Sequence, residues 1–301
     1  YGVLAAMALK QTAYEGGEFL RVMPTVAGPP SRLEGDDGSQ AFAEQWLQQW
    51  PLLDVPQPGV LSPTIASDVD LLQGTLFLNV DRRYQGLSYL NRVYERYKDN
   101  PQALYSLCLD FEWLGAFQLS IMSMLRFVQM SPAHLIEDAP IFLQKRIYPQ
   151  PFAELIIKEA QANKINPLLY FSLIRQESLF EEGARSGAAA QGLAQIIPAT
   201  AREVADKMGH ANWSDELIYR PYINLRFGAY YLDWTRSYLN GNLVSALVGY
   251  NAGVGNAEIW RKTSSEDDML FVEVLTLNEP RIYVQTVTSN LYHYTRLYGS
   301  Q

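Results

Sequence analysis

Apolar residues recur at helical spacing through most of the chain. The first half reads as a series of helices with short interruptions. YGVLAAMALKQ is a short helix, and VAGPPSRLEGDDGS, rich in Pro, Gly and Asp, is a loop. SQAFAEQWLQQW is helical and stops at Pro51. PLLDVPQPGVLSP is a linker, after which Ser62-Pro63 or Ser67 starts the next helix. SDVDLLQGTLFLN, RRYQGLSYLNRVYERYKDN, PQALYSLCLDFEWLG and AFQLSIMSMLRFVQM come next as antiparallel helices. Their lengths, with the N-P and L-G punctuation, predict a solenoid of helix pairs. No strict repeat period is present, so tetratricopeptide-like is an analogy of architecture. The concave face of such a solenoid either meets a partner or polymer, or the helices only buttress the second half of the chain.

The pattern changes meaning at LIRQESLFEEGARSGAAAQGLAQIIPATA, Leu173 to Ala201. Asn166-Pro167 starts a helix, with Asn as the cap and Pro in the first turn. Leu169, Leu173 and Glu177 then fall at four-residue spacing on one face. Ser178 and Gly183 predict that the helix ends soon after, which puts Glu177 in its last turn, on the apolar side. Burial disfavours the carboxylate and raises its pKa, and the negative end of the helix dipole pushes the same way. An acid that keeps its proton near neutral pH can protonate a leaving group. Lysozyme's glutamate in a hydrophobic pocket is the known pattern. On spacing alone a solvated residue at a helix boundary is the commoner reading, since polar residues are frequent near helix ends.

Downstream come Gly183, Ala184, Ser186, Gly187, Ala188, Ala189, Ala190, Gly192 and Ala194. Small side chains let backbone approach closely, either for tight packing between elements or to form a cleft wall. Ser186 and Gln195 add neutral hydrogen-bonding groups. Pro198 opens a further helix, PATAREVADKM, which stops at Gly209.

These motifs resemble the soluble lytic transglycosylase domain, a relative of goose-type lysozyme. ESLF, a Ser nine residues past the Glu, and AxGLxQIIPATA carry the likeness first. NLRFGAYYL (Asn224 to Leu232), ALVGYNAGVGNAEIW (Ala246 to Trp260) and FVEVLTLNEPRIYVQTV (Phe271 to Val287) continue it in the family's order. Upstream, RIYPQPFAELIIKEAQANKINPLLYFSLIRQES is similar to its lead-in helices. The resemblance covers about half the chain, from near Tyr148 to the end. Three positions depart from the family pattern: Ala189 stands for Gly, Ala194 for Met, and Pro280 for Thr. The first asks whether the backbone tolerates Ala. The second is expected to widen a subsite, and the third to alter the turn holding Glu279.

The resemblance implies a mainly α fold, with an N-terminal α-helical superhelix followed by a lysozyme-like α domain. The expected division is 1–62 for N-terminal helices and linkers, 63–147 for a helical-repeat segment and 148–301 for the catalytic domain. It implies cleavage of the β-1,4 bond between N-acetylmuramic acid and N-acetylglucosamine in peptidoglycan, ending in 1,6-anhydro-N-acetylmuramic acid. Glu177 would be the sole acid and base, and the substrate's N-acetyl group would replace the second carboxylate that most glycosidases need. Ser186, Gln195, Tyr250, Asn251, Glu279 and Tyr283 would bind substrate, with Asn251 in a turn made by Gly253 and Gly255. Glu181 and Glu182 read as a solvated pair. A hydrolytic muramidase and a non-catalytic wall-binding scaffold are the alternatives.

Composition narrows the field from the other side. The chain has 301 residues and a net charge of −8, which argues against nucleic-acid or anionic-membrane binding. The 19 Tyr and 6 Trp serve equally as core or as sugar-stacking surface. The single Cys108 excludes an internal disulfide and reads as a buried thiol. His134, His210 and His293 lie too far apart for metal-ligand spacing, so neither metal nor cofactor is expected. No stretch has membrane-spanning length and no signal peptide is visible. The opening residues read as mid-helix, so residues are expected upstream. Glycan strands are the expected partner, the superhelix could take a protein partner, and an extracytoplasmic location is implied by the resemblance alone.

Overall fold

A computed structural model describes residues 33–50, 57–133, 135–264 and 267–299. The helix expected at YGVLAAMALKQ, parts of the two subsequent loops, and His134 lie outside them. The described residues fall into two compact units, one within 27–151 and one within 152–301. Both are helical, and no strand occurs among the described residues.

In the first unit, α1 (Gln40–Leu47) is capped by Ser39, whose side chain accepts from the Phe42 N–H. Of the two candidate starts near residue 62, Ser62-Pro63 opens a helix, whereas Ser67 closes it. Ser62 caps the one-turn α2 (Pro63–Ala66), and Asp68 caps α3 (Val69–Asn79). Then come α4 (Arg83–Tyr97), α5 (Pro101–Trp113), α6 (Phe117–Met130) and α7 (Ile141–Ile147). α3 packs on α4 and α5 on α6, which gives the expected helix pairs. Cys108 is fully buried within the second pair, beside Ser120, and burial pushes its thiol up to about 12.

The second unit contains α8 (Ala153–Ala162), α9 (Pro167–Ser178), α10 (Pro198–Lys207) and α11 (Pro221–Tyr238). It continues with α12 (Leu243–Ala252), α13 (Val254–Ser264), α14 (Asp268–Glu273) and α15 (Asn278–Tyr298). α9 is the central element. Asn166 caps it by accepting from the Leu168 N–H at 2.8 Å, and Pro167 takes the first position. Seven consecutive residues from Leu169 to Arg175 are buried, as in a helix enclosed on all sides. α15 packs along it. Arg175 Nη1 donates to Asn290 Oδ1 at 2.9 Å, and Asn290 Nδ2 donates to the Ser172 carbonyl at 3.2 Å. These two bonds fix how far α15 slides along α9.

The α3–α4 pair depends on two glycines that face each other. A Cβ on Gly86 would lie 2.8 Å from the Leu78 side chain and 3.0 Å from the Gly74 carbonyl oxygen. Gly86→Ala is therefore expected to destabilise the chain by about 1–3 kcal/mol, although alanine is the better helix former. Chemical denaturation of the two proteins measures this, and a stabilised variant would refute the close crossing.

Candidate active site

Glu177 occupies the last turn of α9, and the helix ends one residue later. No glycine stops it. Leu179 and Phe180 both adopt the left-handed region, with φ of 48° and 63°. Each such residue costs roughly 1–2 kcal/mol. The Phe180 ring compensates by burying completely, against Phe171. Ser178, the second residue of the ES pair, donates to the Leu193 carbonyl at 2.8 Å and ties the helix end to the next loop.

That loop runs from Gly183 to Ile197 with only isolated bridges between Arg185, Gln191 and Ile196. It holds its shape through side chains reaching backbone. Buried Asn224 of α11 accepts from the Ala194 N–H at 2.6 Å and donates to the Gln191 and Ile218 carbonyls, each at 2.9 Å. A Cβ on Gly192 would stand 2.2 Å from the Asn224 amide, and φ there is 75°. One turn along α11, the missing Cβ of Gly228 leaves room for Ala194 and for the hydroxyls of Tyr170 and Tyr250. Asn224 and Gly228 are thus the first and fifth residues of the NLRFG pattern. The sequence displayed them as a motif without revealing that they shape the loop.

Two residues on the first turns of α15 act on Glu177, Tyr283 by a hydrogen bond and Glu279 by its charge. Tyr283 Oη donates to Glu177 Oε1 at 2.5 Å. Burial is the largest influence on Glu177 and lifts its pKa from 4.5 to about 8. The Tyr283 hydrogen bond opposes this, and the negative charge of Glu279 adds to it. Burial, with the charge of Glu177 next, holds the Tyr283 and Tyr250 hydroxyls well above the usual tyrosine range. Tyr250 is buried and donates to the Ala194 carbonyl at 2.8 Å. Glu177 itself keeps part of its surface open.

The remaining expected residues fall into place less uniformly. Ser186 is exposed and its hydroxyl accepts from the Ala190 N–H at 3.1 Å. The Gln195 Nε2 donates to the Ala184 and Gly192 carbonyls, so this end of the side chain braces the loop. Asn251 is half-buried and still inside α12, one residue before its end. The turn itself belongs to Gly253, with φ of 86°, while Gly255 already lies in α13. The solvated Glu181–Glu182 pair needs correction. Glu181 is buried and its carboxylate accepts from the Gly183 N–H at 3.0 Å, closing a turn. The charge that raises Glu177 comes from exposed Glu279 instead.

The three departures also resolve. Ala189 has φ of 63°, a conformation that favours glycine, and alanine accepts the strain there. Ala194 is fully buried against Gly228, so its side chain does not line an open groove. Pro280 sits in the first turn of α15, where the N–H has no helical partner to lose, so the helix start is undisturbed. Among the described residues no group of three metal-binding side chains forms, and no helix is long and apolar enough to cross a membrane.

A helical, lysozyme-like domain built around a half-buried glutamate at the end of its central helix is the class that this fold and geometry define. Residues 154–269 match the family model for the transglycosylase SLT domain, and the chain carries a domain of that family. The soluble lytic murein transglycosylase of Salmonella typhimurium is 26% identical over 157 residues, which are 51% of this chain and 24% of that protein. The protein of the same name from Escherichia coli K12 gives the same identity and coverage. The chain thus spans about a quarter of the length of the curated relatives it matches. In structure, the 70 kDa soluble lytic transglycosylase of Escherichia coli has a TM-score of 0.69 at 18% identity, over 84% of this chain and 40% of that one. An inactive mutant of the lytic transglycosylase Slt from Pseudomonas aeruginosa has 0.64 at 24% identity, over 81% and 39%. At such identities the structural likeness establishes the fold.

Two measurements check this geometry. Asn224→Ala leaves three backbone groups without their partner and is expected to lose roughly 3–5 kcal/mol in chemical denaturation. The second concerns Glu177. Its folded pKa lies above its unfolded one, so the native state holds a proton that the unfolded chain releases. Stability is then full below pH 4.5 and falls as pH rises towards about 8. Glu177→Gln lacks this loss, so its Tm should gain on the parent from pH 5 to pH 9. A constant gap would mean that the carboxyl is not held protonated.

Proposed function

We propose that residues 148–301 form a peptidoglycan lytic transglycosylase domain with Glu177 as its single acid and base, preceded by a helical-repeat segment over 63–147. The carrying observation is a half-open glutamic acid held protonated near neutral pH by burial and by Glu279, and oriented by the Tyr283 hydroxyl. In the first step Glu177 gives its proton to the oxygen of the β-1,4 bond between N-acetylmuramic acid and N-acetylglucosamine. The bond to C1 breaks as the substrate's N-acetyl carbonyl oxygen attacks that carbon. Glu177, now a carboxylate, takes the proton of the C6 hydroxyl. That oxygen displaces the N-acetyl oxygen at C1 and closes the 1,6-anhydro ring. Water is not consumed.

Ser186, Asn251 and Glu279 are the groups offered to the sugars, from the loop, the end of α12 and the start of α15. Gln195 and Tyr250 act from beneath, holding the loop through Gly192, Ala184 and Ala194. Glycan strands are the partner, and the site of action is extracytoplasmic. A hydrolytic muramidase has one observation in its favour. Glu279 is a second carboxylate close enough to influence Glu177, and a general base for water is what an inverting hydrolase needs.

Mass spectrometry of the products from purified peptidoglycan separates the two. Muropeptides ending in 1,6-anhydro-N-acetylmuramic acid are expected, and reducing ends would select the hydrolase. Glu177→Gln should abolish cleavage while wall binding persists. If it still degrades the wall, the acid is another residue. If the parent binds but yields no products, the chain is a scaffold.

The pH profile carries an independent check. Because the acid form starts the reaction, kcat/KM should fall above about pH 8. Tyr283→Phe removes an influence that lowers the Glu177 pKa and should move this fall to higher pH. Glu279→Gln removes one that raises it and should move the fall to lower pH. Shifts of the same sign in both variants would contradict the assignment.

A further inference from the structure

The second unit also carries an open cavity of about 580 Å³ whose lining includes Tyr238, Asn240, Asn242, Ser245, Glu258, Arg261 and Lys262. This falls within the roughly 300–1,000 Å³ common for ligand pockets. It is not the Glu177 cleft. Asn242 caps the N-terminus of α12, whereas Tyr250 and Asn251 lie at the other end of that ten-residue helix. The two places are separated by about 12 Å of helix.

The lining of the cavity is polar and bonded within itself. Arg261 donates through Nε to Ser245 Oγ at 2.8 Å and through Nη2 to Asn242 Oδ1 at 2.9 Å. Its guanidinium lies 3.8 Å over the Phe271 ring and pairs with Asp268 at 2.7 Å. Lys262 pairs with Glu258 at 3.1 Å. The cations are already matched by carboxylates, so an anionic ligand would have to compete with them. A neutral, hydroxyl-rich ligand finds both donors and acceptors without that competition.

The rim is aromatic. Tyr238 is 51% exposed and ends a row of rings that starts on α12 and continues along α11. The row runs from buried Tyr250 to Tyr231 (5.3 Å between centroids), to Trp234 (5.7 Å) and to Tyr238 (5.6 Å). Lys207 sits over the Trp234 ring at 5.1 Å, which leaves Tyr238 as the open face beside the cavity. A flat ring beside mixed hydrogen-bonding groups suits the apolar face and the hydroxyls of a sugar.

We propose that this cavity is a second saccharide-binding site, which takes a neutral, N-acetylated amino-sugar stretch of the glycan. Tyr238 is the stacking platform. Asn240, Glu258 and Lys262 are the hydrogen-bonding partners, beside the lining that Arg261 bonds together. The inference rests on the glycan reading of the Glu177 cleft and deepens it. The domain would grip its polymer at a point apart from the bond it cleaves.

The test is titration of an N-acetylglucosamine tetramer into the full chain carrying Glu177→Gln, followed by backbone amide chemical shifts. Two groups of shifts are expected, one at Ser186 and Asn251 and one at Asn240, Asn242 and Lys262. Tyr238→Ala and Lys262→Ala, both at exposed side chains, should each weaken the second group at least fivefold. Shifts confined to the cleft overturn the second site and leave the proposed function standing. A second group that neither substitution weakens overturns it as well. Shifts at the second site alone support it and count against the cleft, and shifts at neither overturn both.

Discussion

The contact between Tyr283 and Glu177 is the constraint around which the second unit is arranged. A carboxyl at the end of an enclosed helix is stable there mainly as the neutral acid. Tyr283 alone would favour the charged form, while burial and Glu279 favour the neutral one, and the second pair prevails. For the contact to exist, α15 must lie against α9 in one register. The Arg175–Asn290 and Asn290–Ser172 hydrogen bonds impose that register from within the interface. Charge state and helix packing are therefore one problem here, solved by the same pair of helices.

The loop after α9 meets a different demand. It has to stay open at Ser186, Gly187 and Ala188, which are exposed, yet remain fixed without strands. Its backbone groups are satisfied by Asn224, Ser178, Gln195 and Tyr250, each from a different part of the unit. Left-handed residues at Leu179, Phe180, Ala189 and Gln195 add strain that this bracing offsets. The tight-packing reading of the small residues holds at some positions and not at others. Gly192 and Ala194 are small because something packs against them, whereas a Cβ at Gly187 would meet open space.

The first unit contributes helix pairs of the kind seen in solenoids, and the relatives that the chain matches are several times longer than the matched stretch. The second unit carries two polar regions, the surroundings of Glu177 and the cavity beside Tyr238. Their chemistry differs. One is built around a carboxyl whose neutral form burial favours, and the other from charges already neutralised in pairs.

Much of this was legible in the chain because it depends on local rules. The Asn166-Pro167 start, the apolar stripe and the place of Glu177 in the last turn come from capping and periodicity, which act within a few residues. The helix pairs of the first unit obey the same rules. What the sequence left open depends on partners far along the chain. Glu181 and Glu182 read alike, but only folding buries Glu181 over its own turn. Glu279 stood a hundred residues from Glu177, and its influence exists because α15 returns beside α9. Ala194 read as a groove residue until the missing Cβ of Gly228 gave it a buried seat. The sequence by itself determined which groups are present and which helices carry them. The tertiary structure decided which of those groups share a low-dielectric space, because burial and charge coupling depend on distance in space and not along the chain.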